Sequence, residues 1–330
     1  MPLLEKDQIG KRELLLDVMV FADFRKTPVF SRIKKSKELT NTLFEWNMDA
    51  YRNPETESVV DGTDHTDWNN HAEQRAQARN HIHYLRTGYK VSPLAENVSV
   101  VAGVSSEEAE AKRKMVIEMA RDVEAVLTGA QEARADDGAV GYRTRGLDKW
   151  IQATAQDYLP VPEIHRPTAS QIKTTAAASL SEENDIQSIL QAVYDATGMN
   201  GDFVFLCGSV MRRALTTSTR IITGNTNNYY TVRSFNPSGN KIEQTTTAYA
   251  GDFGTLQVEV SQWLRFDNDT KQPDTDAAFF VDFSKLSLRY GRLPQIRTLE
   301  DRGSGTPILG ESWFGLQCTT PRGMAKIVPA

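Results

Sequence analysis

Four of the five histidines, His65, His71, His81 and His83, fall within 19 residues, and Asp61, Asp64 and Asp67 stand among them. Imidazole and carboxylate are ordinary zinc ligands, and His81 and His83, two positions apart, would share one face of a strand. A metal site also needs a buried surround that fixes each ring, and the stretch NPETESVVDGTDHTDWNNHAEQ (53–74) is too polar to supply one. The cluster is therefore read as solvated or interface histidines on an exposed ribbon. A metal-dependent enzyme using His65–His83 is the alternative it leaves open. Cys207 opens CGSVMRR (207–213) at a strand-to-helix turn, where a nucleophile would sit, yet no histidine follows it, His165 being the last in the sequence. Cys207 and Cys318 are 111 positions apart, and neither sits in a C-x-x-C pair or beside a histidine, which disfavours a disulfide framework and a thiolate zinc site. The carboxylate pairs Asp136–Asp137 and Glu107–Glu108 fall at a loop and a helix start, with no pocket to split their pKa values. No P-loop, G-x-G-x-x-G, G-x-S-x-G, H-E-x-x-H or EF-hand spacing occurs. No catalytic, cofactor or metal-ligating residue is assigned.

What must hold these residues is a chain of 330, enough for one large or two modest domains with a buried core. Lys+Arg 38 against Asp+Glu 43 leaves a net charge of -5, which argues against a polycationic nucleic-acid binder. The longest apolar runs, such as VSVVAGV (98–104) and AAFF (277–280), are strand-sized and far short of a membrane helix. The start MPLLEKDQIGKRELLLD shows no secretory signal, so the protein is expected to act where it is made or as part of something larger. Two lone cysteines fit a reducing cytoplasm.

Residues 1–40 read as an arm. Within it RKTPVFSRIKKSK (25–37) carries Arg25, Lys26, Arg32, Lys34, Lys35 and Lys37 without one acid, and Thr27-Pro28 biases the backbone to extended. These cations suit a neighbouring subunit's acidic surface or packaged nucleic acid; the acidic chain favours the protein contact. Residues 41–97 read as a long exposed β-hairpin bearing Trp46, Trp68, Tyr84 and Tyr89. Arms of about 15–20 residues would reach roughly 50–65 Å and could not be stable alone in water. Over 106–129 the sequence predicts a helix of roughly 35 Å. Ser105 and Glu108 have capping-box spacing, and Met115, Met119, Val123, Val126 and Leu127 form the buried stripe, with Lys112, Arg113, Glu118 and Arg121 facing away. Pro160, Pro162 and Pro167 mark a crossing. Beyond it, Ser181 starts and Gly198 stops a second helix, FVFLC (203–207) is a buried strand, and 255–264, 276–290 and 311–320 alternate as half-buried strands do. The sum is α+β.

This order of parts resembles the Hong Kong 97-type major capsid protein of tailed bacteriophages. TPVFSRIKKSKELTNTLFEW (27–46), GYRTRGLDKWI (141–151), FVFLCGSVMRRAL (203–215) and the tail 276–327 carry a sequence resemblance to phage major head proteins. The resemblance implies an N-terminal arm (1–40), an E-loop hairpin (41–97), a P-domain with a spine helix (98–170, helix 106–129), an A-domain (171–265) and returning strands (266–330). It implies a non-enzymatic shell protein that assembles as hexamers and pentamers around double-stranded DNA, with loops 198–240 at the capsomer centre. DNA would be touched weakly and non-specifically. No extra scaffolding region of about a hundred residues is seen at the N-terminus, so a separate scaffolding protein is expected, with a portal, in a virion built in the bacterial cytoplasm. An encapsulin-like compartment is the nearest alternative. Inter-subunit contact falls to Arg25, Lys26, Arg32, Lys34, Lys35, Lys37, Trp46, Trp68, Tyr84 and Tyr89.

Overall fold

Two sheets built from strands far apart in sequence organise the molecule. In a computed structural model the described residues are 25–37, 39–66, 68–97, 106–198, 200–218, 222–225, 228–231, 234–235, 242–243, 248–266, 270, 272–301, 303 and 305–329. Of the range 198–240 expected at the capsomer centre, residues 199, 219–221, 226–227, 232–233 and 236–240 therefore lie outside them.

The first sheet has the strand order Lys34–Lys37, Leu286–Thr298, Thr306–Cys318, His83–Val91. The short first strand runs parallel to its neighbour, and the other pairs are antiparallel. The long helix Glu107–Thr128 covers one face. Ile308 packs there with Met115 and Met119. Glycine at 310 lets the helix approach, since a Cβ there would lie 2.7 Å from both Met115 Sδ and Met119 Sδ. Further along the same strand Phe314, Leu316 and Cys318 join Val123, Leu127 and Trp150 in one core.

Met115, Met119, Val123 and Leu127 are buried as the helical period requires. The cap is Ser106, whose hydroxyl accepts the Ala109 amide at 3.2 Å. The expected box does not form around it: Ser105 lies outside the described residues, and with Ser106 as cap the box position falls on Ala109. Glu108 turns instead to Lys112, at 2.6 Å. Glu118 does not face away, because the Tyr89 hydroxyl donates to it.

The second sheet has the order Ala248–Gly251, Gly254–Val260, Gly201–Cys207, Ala278–Val281, Ala325–Val328, Ile172–Thr174. It separates two cores. Phe203, Phe205, Ala278 and Phe280 face Ile189, Leu190, Met211 and Leu215 of helices Ser188–Thr197 and Ser209–Ser218. Val204, Leu206, Phe279 and Val281 face the core beneath the long helix. Both faces being covered, Ala278–Val281 is buried throughout, and the half-buried alternation expected over 276–290 begins only at Leu286. Ser181 accepts the Asn184 amide at 3.2 Å, and Gly198 ends the helix at φ 68°, both as its sequence predicts.

Two expectations change. The hairpin pairs only Leu43–Met48 with Ala76–His81, six residues a side. After Ile82 the next strand, His83–Val91, pairs with Thr306–Cys318 instead. Leu85, Tyr89 and Val91 then pack against the helix cluster, which accounts for an alternation first assigned to an exposed ribbon. The basic stretch is likewise not simply extended: Pro28–Arg32 is one helical turn. Proline restrains Thr27, which is non-helical at ψ 75°, while Pro28 itself suits the first helical position.

Candidate assembly surface

The base of the hairpin is fixed by a buried amide. Asn80 donates to Thr144 Oγ1 (2.9 Å) and the Leu316 carbonyl (2.7 Å), and its own oxygen accepts the Arg145 amide (2.9 Å). Arg145 is itself buried, pairs with Glu132 at 2.5 Å, and lies 4.6 Å from the Trp150 ring centre. Trp46 stacks near Phe44 (5.6 Å) and Trp150 (5.5 Å), and its Nε1 donates to the Cys318 carbonyl at 3.1 Å. It holds the hairpin to its own subunit.

His81 lies between Tyr142 and Tyr158, with Nε2 3.0 Å from the Tyr158 hydroxyl, and His83 packs on Phe314. Burial lowers the His81 pKa, and burial, aided by the Arg143 charge, pushes that of His83 down to about 4. Both rings pack within their own subunit. His65 and His71 are exposed on the connection 49–75. Among the described residues no three His, Cys, Asp or Glu side chains gather where they could hold an ion, and Asp67 lies outside the described residues. Burial pushes Cys207 up to about 12, so its thiol is not activated.

The connection itself is open to solvent. Tyr51, Val59, Val60 and Trp68 all project from it, and the edge of His65 meets Trp68 at 4.9 Å. Trp68 is thus exposed, whereas Trp46 and Tyr89 are engaged within the chain.

The basic turn is seated on its own subunit. Val29 and Ile33 are buried, and Glu124, fully buried on the long helix, accepts the amides of Val29 (3.1 Å) and Phe30 (2.6 Å). Trp263 Nε1 donates to the Lys26 carbonyl at 2.9 Å, with Arg25 over its ring at 4.8 Å. Arg32 pairs with Glu259, and Lys35 covers Phe30 at 3.7 Å. Lys37 closes the strand opposite Tyr290. Lys26, Lys34 and Lys35 remain exposed. Sequence reasoning missed Glu124; the signal is a carboxylate beside Val123 and three positions before Leu127, next to the buried stripe.

A second missed feature lies on the open face of the first sheet. Glu311, its side chain only 4% exposed, is met by Arg86 (3.0 Å), Arg292 (3.4 Å), Arg297 (3.1 Å) and the Tyr84 hydroxyl (3.0 Å). These residues come from three strands of the sheet, so no local spacing announces them.

The described residues thus form cores on both faces of the second sheet and leave the connection 49–75 exposed. Residues 5–329 match the family model described as the SU10 major capsid protein. The chain belongs to the SU10 major capsid protein family. This capsid protein superposes on solved shells at low identity. It matches the capsid of cyanophage P-SCSP1u at TM-score 0.59 and 11% identity, covering 94% of this chain and 91% of that one. A Gordonia phage Cozz structure matches at TM-score 0.60 and 15% identity, covering 97% and 92%. The SrpI encapsulin of Synechococcus elongatus PCC 7942 matches at TM-score 0.55 and 9% identity, covering 96% and 91%. No curated protein matches by sequence. The fold is thus Hong Kong 97-like, mixed in helix and strand, and the chain is a tailed-phage major capsid protein: a structural, self-assembling component of the virion. Among the described residues no helix is long and apolar enough to cross a membrane.

Proposed function

We propose that this capsid protein closes an icosahedral shell as hexamers and pentamers around double-stranded phage DNA. In this reading the hairpin and its connection 49–75 lie on an adjacent subunit as the E-loop, the N-terminal residues reach another, and the helix Glu107–Thr128 is the P-domain spine. The supporting observation is the connection 49–75, which carries Tyr51, Val59, Val60 and Trp68 into solvent with almost no cover from its own chain. Apolar side chains grouped on an irregular segment become ordered by burial against a partner. A scaffolding protein and a portal are the further partners, DNA contact is weak and non-specific, and assembly takes place in the host cytoplasm. The encapsulin alternative shares the fold but requires cargo enzymes in place of a genome; portal and terminase genes beside this one would exclude it.

The test is truncation. A cut at residue 38 would remove buried Val29 and Ile33 and the strand Lys34–Lys37, and so would damage the fold itself. Removing residues 1–24 spares all of these. That protein is expected to stay folded and soluble yet to show no closed shells in negative-stain images under conditions where the full chain forms them. Normal shells from the truncated protein would refute the role given to the arm.

A further inference from the structure

The open face of the first sheet is strongly basic in a protein whose net charge is -5. Strand register places Lys34, Arg86, Lys90, Arg289, Arg292 and Arg297 on this one face, opposite the helix-covered side. Among the described residues of these strands, Glu311 is the one carboxylate the register places with them. It carries a single charge yet orients three guanidiniums, those of Arg86, Arg292 and Arg297. Arg86 and Arg297 remain 56% and 51% exposed while paired to it. A buried carboxylate beneath exposed arginines holds their forks in place at little further entropic cost, a favourable arrangement for receiving other carboxylates.

The same chain carries a complement. Between Asn53 and Gln74 there are six carboxylates, Glu55, Glu57, Asp61, Asp64, Asp67 and Glu73, and no Lys or Arg. Among the described residues none of these pairs with an arginine of the basic face; Glu55 meets Arg52 next to it. The segment leaves the subunit beside Thr319–Arg322, past the end of Thr306–Cys318. From Thr320 back to Gly310 is roughly 33 Å of strand.

We infer that the acidic connection of one copy docks on the Glu311-centred arginine face of a second copy. The inference rests on the reading of that connection as an inter-subunit element and adds its receiving surface and its chemistry. Donor and acceptor are different patches, so each copy gives one contact and receives one. Such a head-to-tail contact closes into rings when the rotation allows. Complementary charge also makes docking steered and sensitive to salt.

The test uses the full chain with Glu55→Lys, Glu57→Lys, Asp61→Lys and Asp64→Lys together, all at exposed positions. Circular dichroism and thermal unfolding are expected to match the parent, while the concentration needed for ring or shell formation rises by about tenfold or more. In parallel, zero-length carbodiimide coupling of a mixture of light and heavy-isotope protein is expected to join Lys34 or Lys90 to a carboxylate of 53–74 in mixed-isotope pairs. Unchanged assembly by the reversed variant overturns the proposal, as does coupling confined to single chains. Normal assembly with loss of DNA retention alone, when Arg86 and Arg297 are neutralised, would assign the face to nucleic acid and overturn it too. In each of these cases the shell reading stands. A parent protein that stays monomeric at low salt would remove both.

Discussion

Replacing Glu124 by alanine isolates what seats the arm. The carboxylate accepts two amides, at 3.1 Å from Val29 and 2.6 Å from Phe30, in a fully buried position. Leaving two buried donors unpaired costs about 1–3 kcal/mol each, partly offset by no longer burying a carboxylate. A net loss of about 2 kcal/mol raises the undocked population roughly thirty-fold. Burial of Val29 and Ile33, at about 1.5–3 kcal/mol each, still favours docking, so the variant should fold. Trypsin reads the opening directly, because Arg32, Lys34 and Lys35 lie in the segment and cleavage follows the open population when closing is fast. Glu124→Ala is expected to be cut there more than tenfold faster than the parent, a margin below the worked value. Glu124→Gln, which keeps an acceptor, should lie between them. Burial pushes the carboxyl up to about 7 against a free value of 4.5, the two amides opposing it. Docking contributed by this group is therefore complete below about 4.5 and is lost as pH rises through about 7. Normalised to an unstructured peptide at each pH, cleavage of the parent should rise from pH 5 to pH 8, and that of Glu124→Gln should stay flat. Equal rates for parent and Glu124→Ala would refute the anchoring role.

Two further changes probe the seam between helix and sheet. Met119→Asp puts a charge among Met115, Ile308 and Leu85, and should abolish soluble expression, whereas Val116→Asp, at a position 57% exposed on the same helix, should not; soluble Met119→Asp protein would show that the wrong face had been assigned to the core. Gly310→Val drives a branched side chain into two methionine sulfurs already 2.7 Å from an ideal Cβ, and should lower stability by about 1–3 kcal/mol in urea titrations; an unaltered midpoint would mean the helix is free to lift.

Much of the fold was legible because it rests on local periodicity. The stripe Met115–Leu127, the Ser181 start and the Gly198 stop depend on neighbours within one or two turns. Pairing partners did not have that support. His83–Val91 alternates equally well as a free ribbon or as a sheet strand, and only the distant Thr306–Cys318 decides between them. Ala278–Val281 loses its alternation because cores lie on both of its faces, a fact set by Ile189 and Met211 on one side and Val123 and Leu127 on the other. Trp46 and Trp68 are the same residue type in one polar region. One is clamped by Trp150 and Cys318, and the other stands in solvent. Glu124 and Glu311 were invisible for the same reason: Val29 is 95 positions from the first and Tyr84 is 227 from the second.

The strand Lys34–Lys37 has a hydrogen-bonded neighbour, Leu286–Thr298, that is itself completed by Thr306–Cys318. The first strand among the described residues thus waits for nearly the last. At about 5–20 residues per second, the ribosome needs roughly 15–55 s to travel from one to the other. During that interval a nascent copy has no finished sheet to serve as the proposed docking face, so half-made chains on one polysome should not join through that face before release.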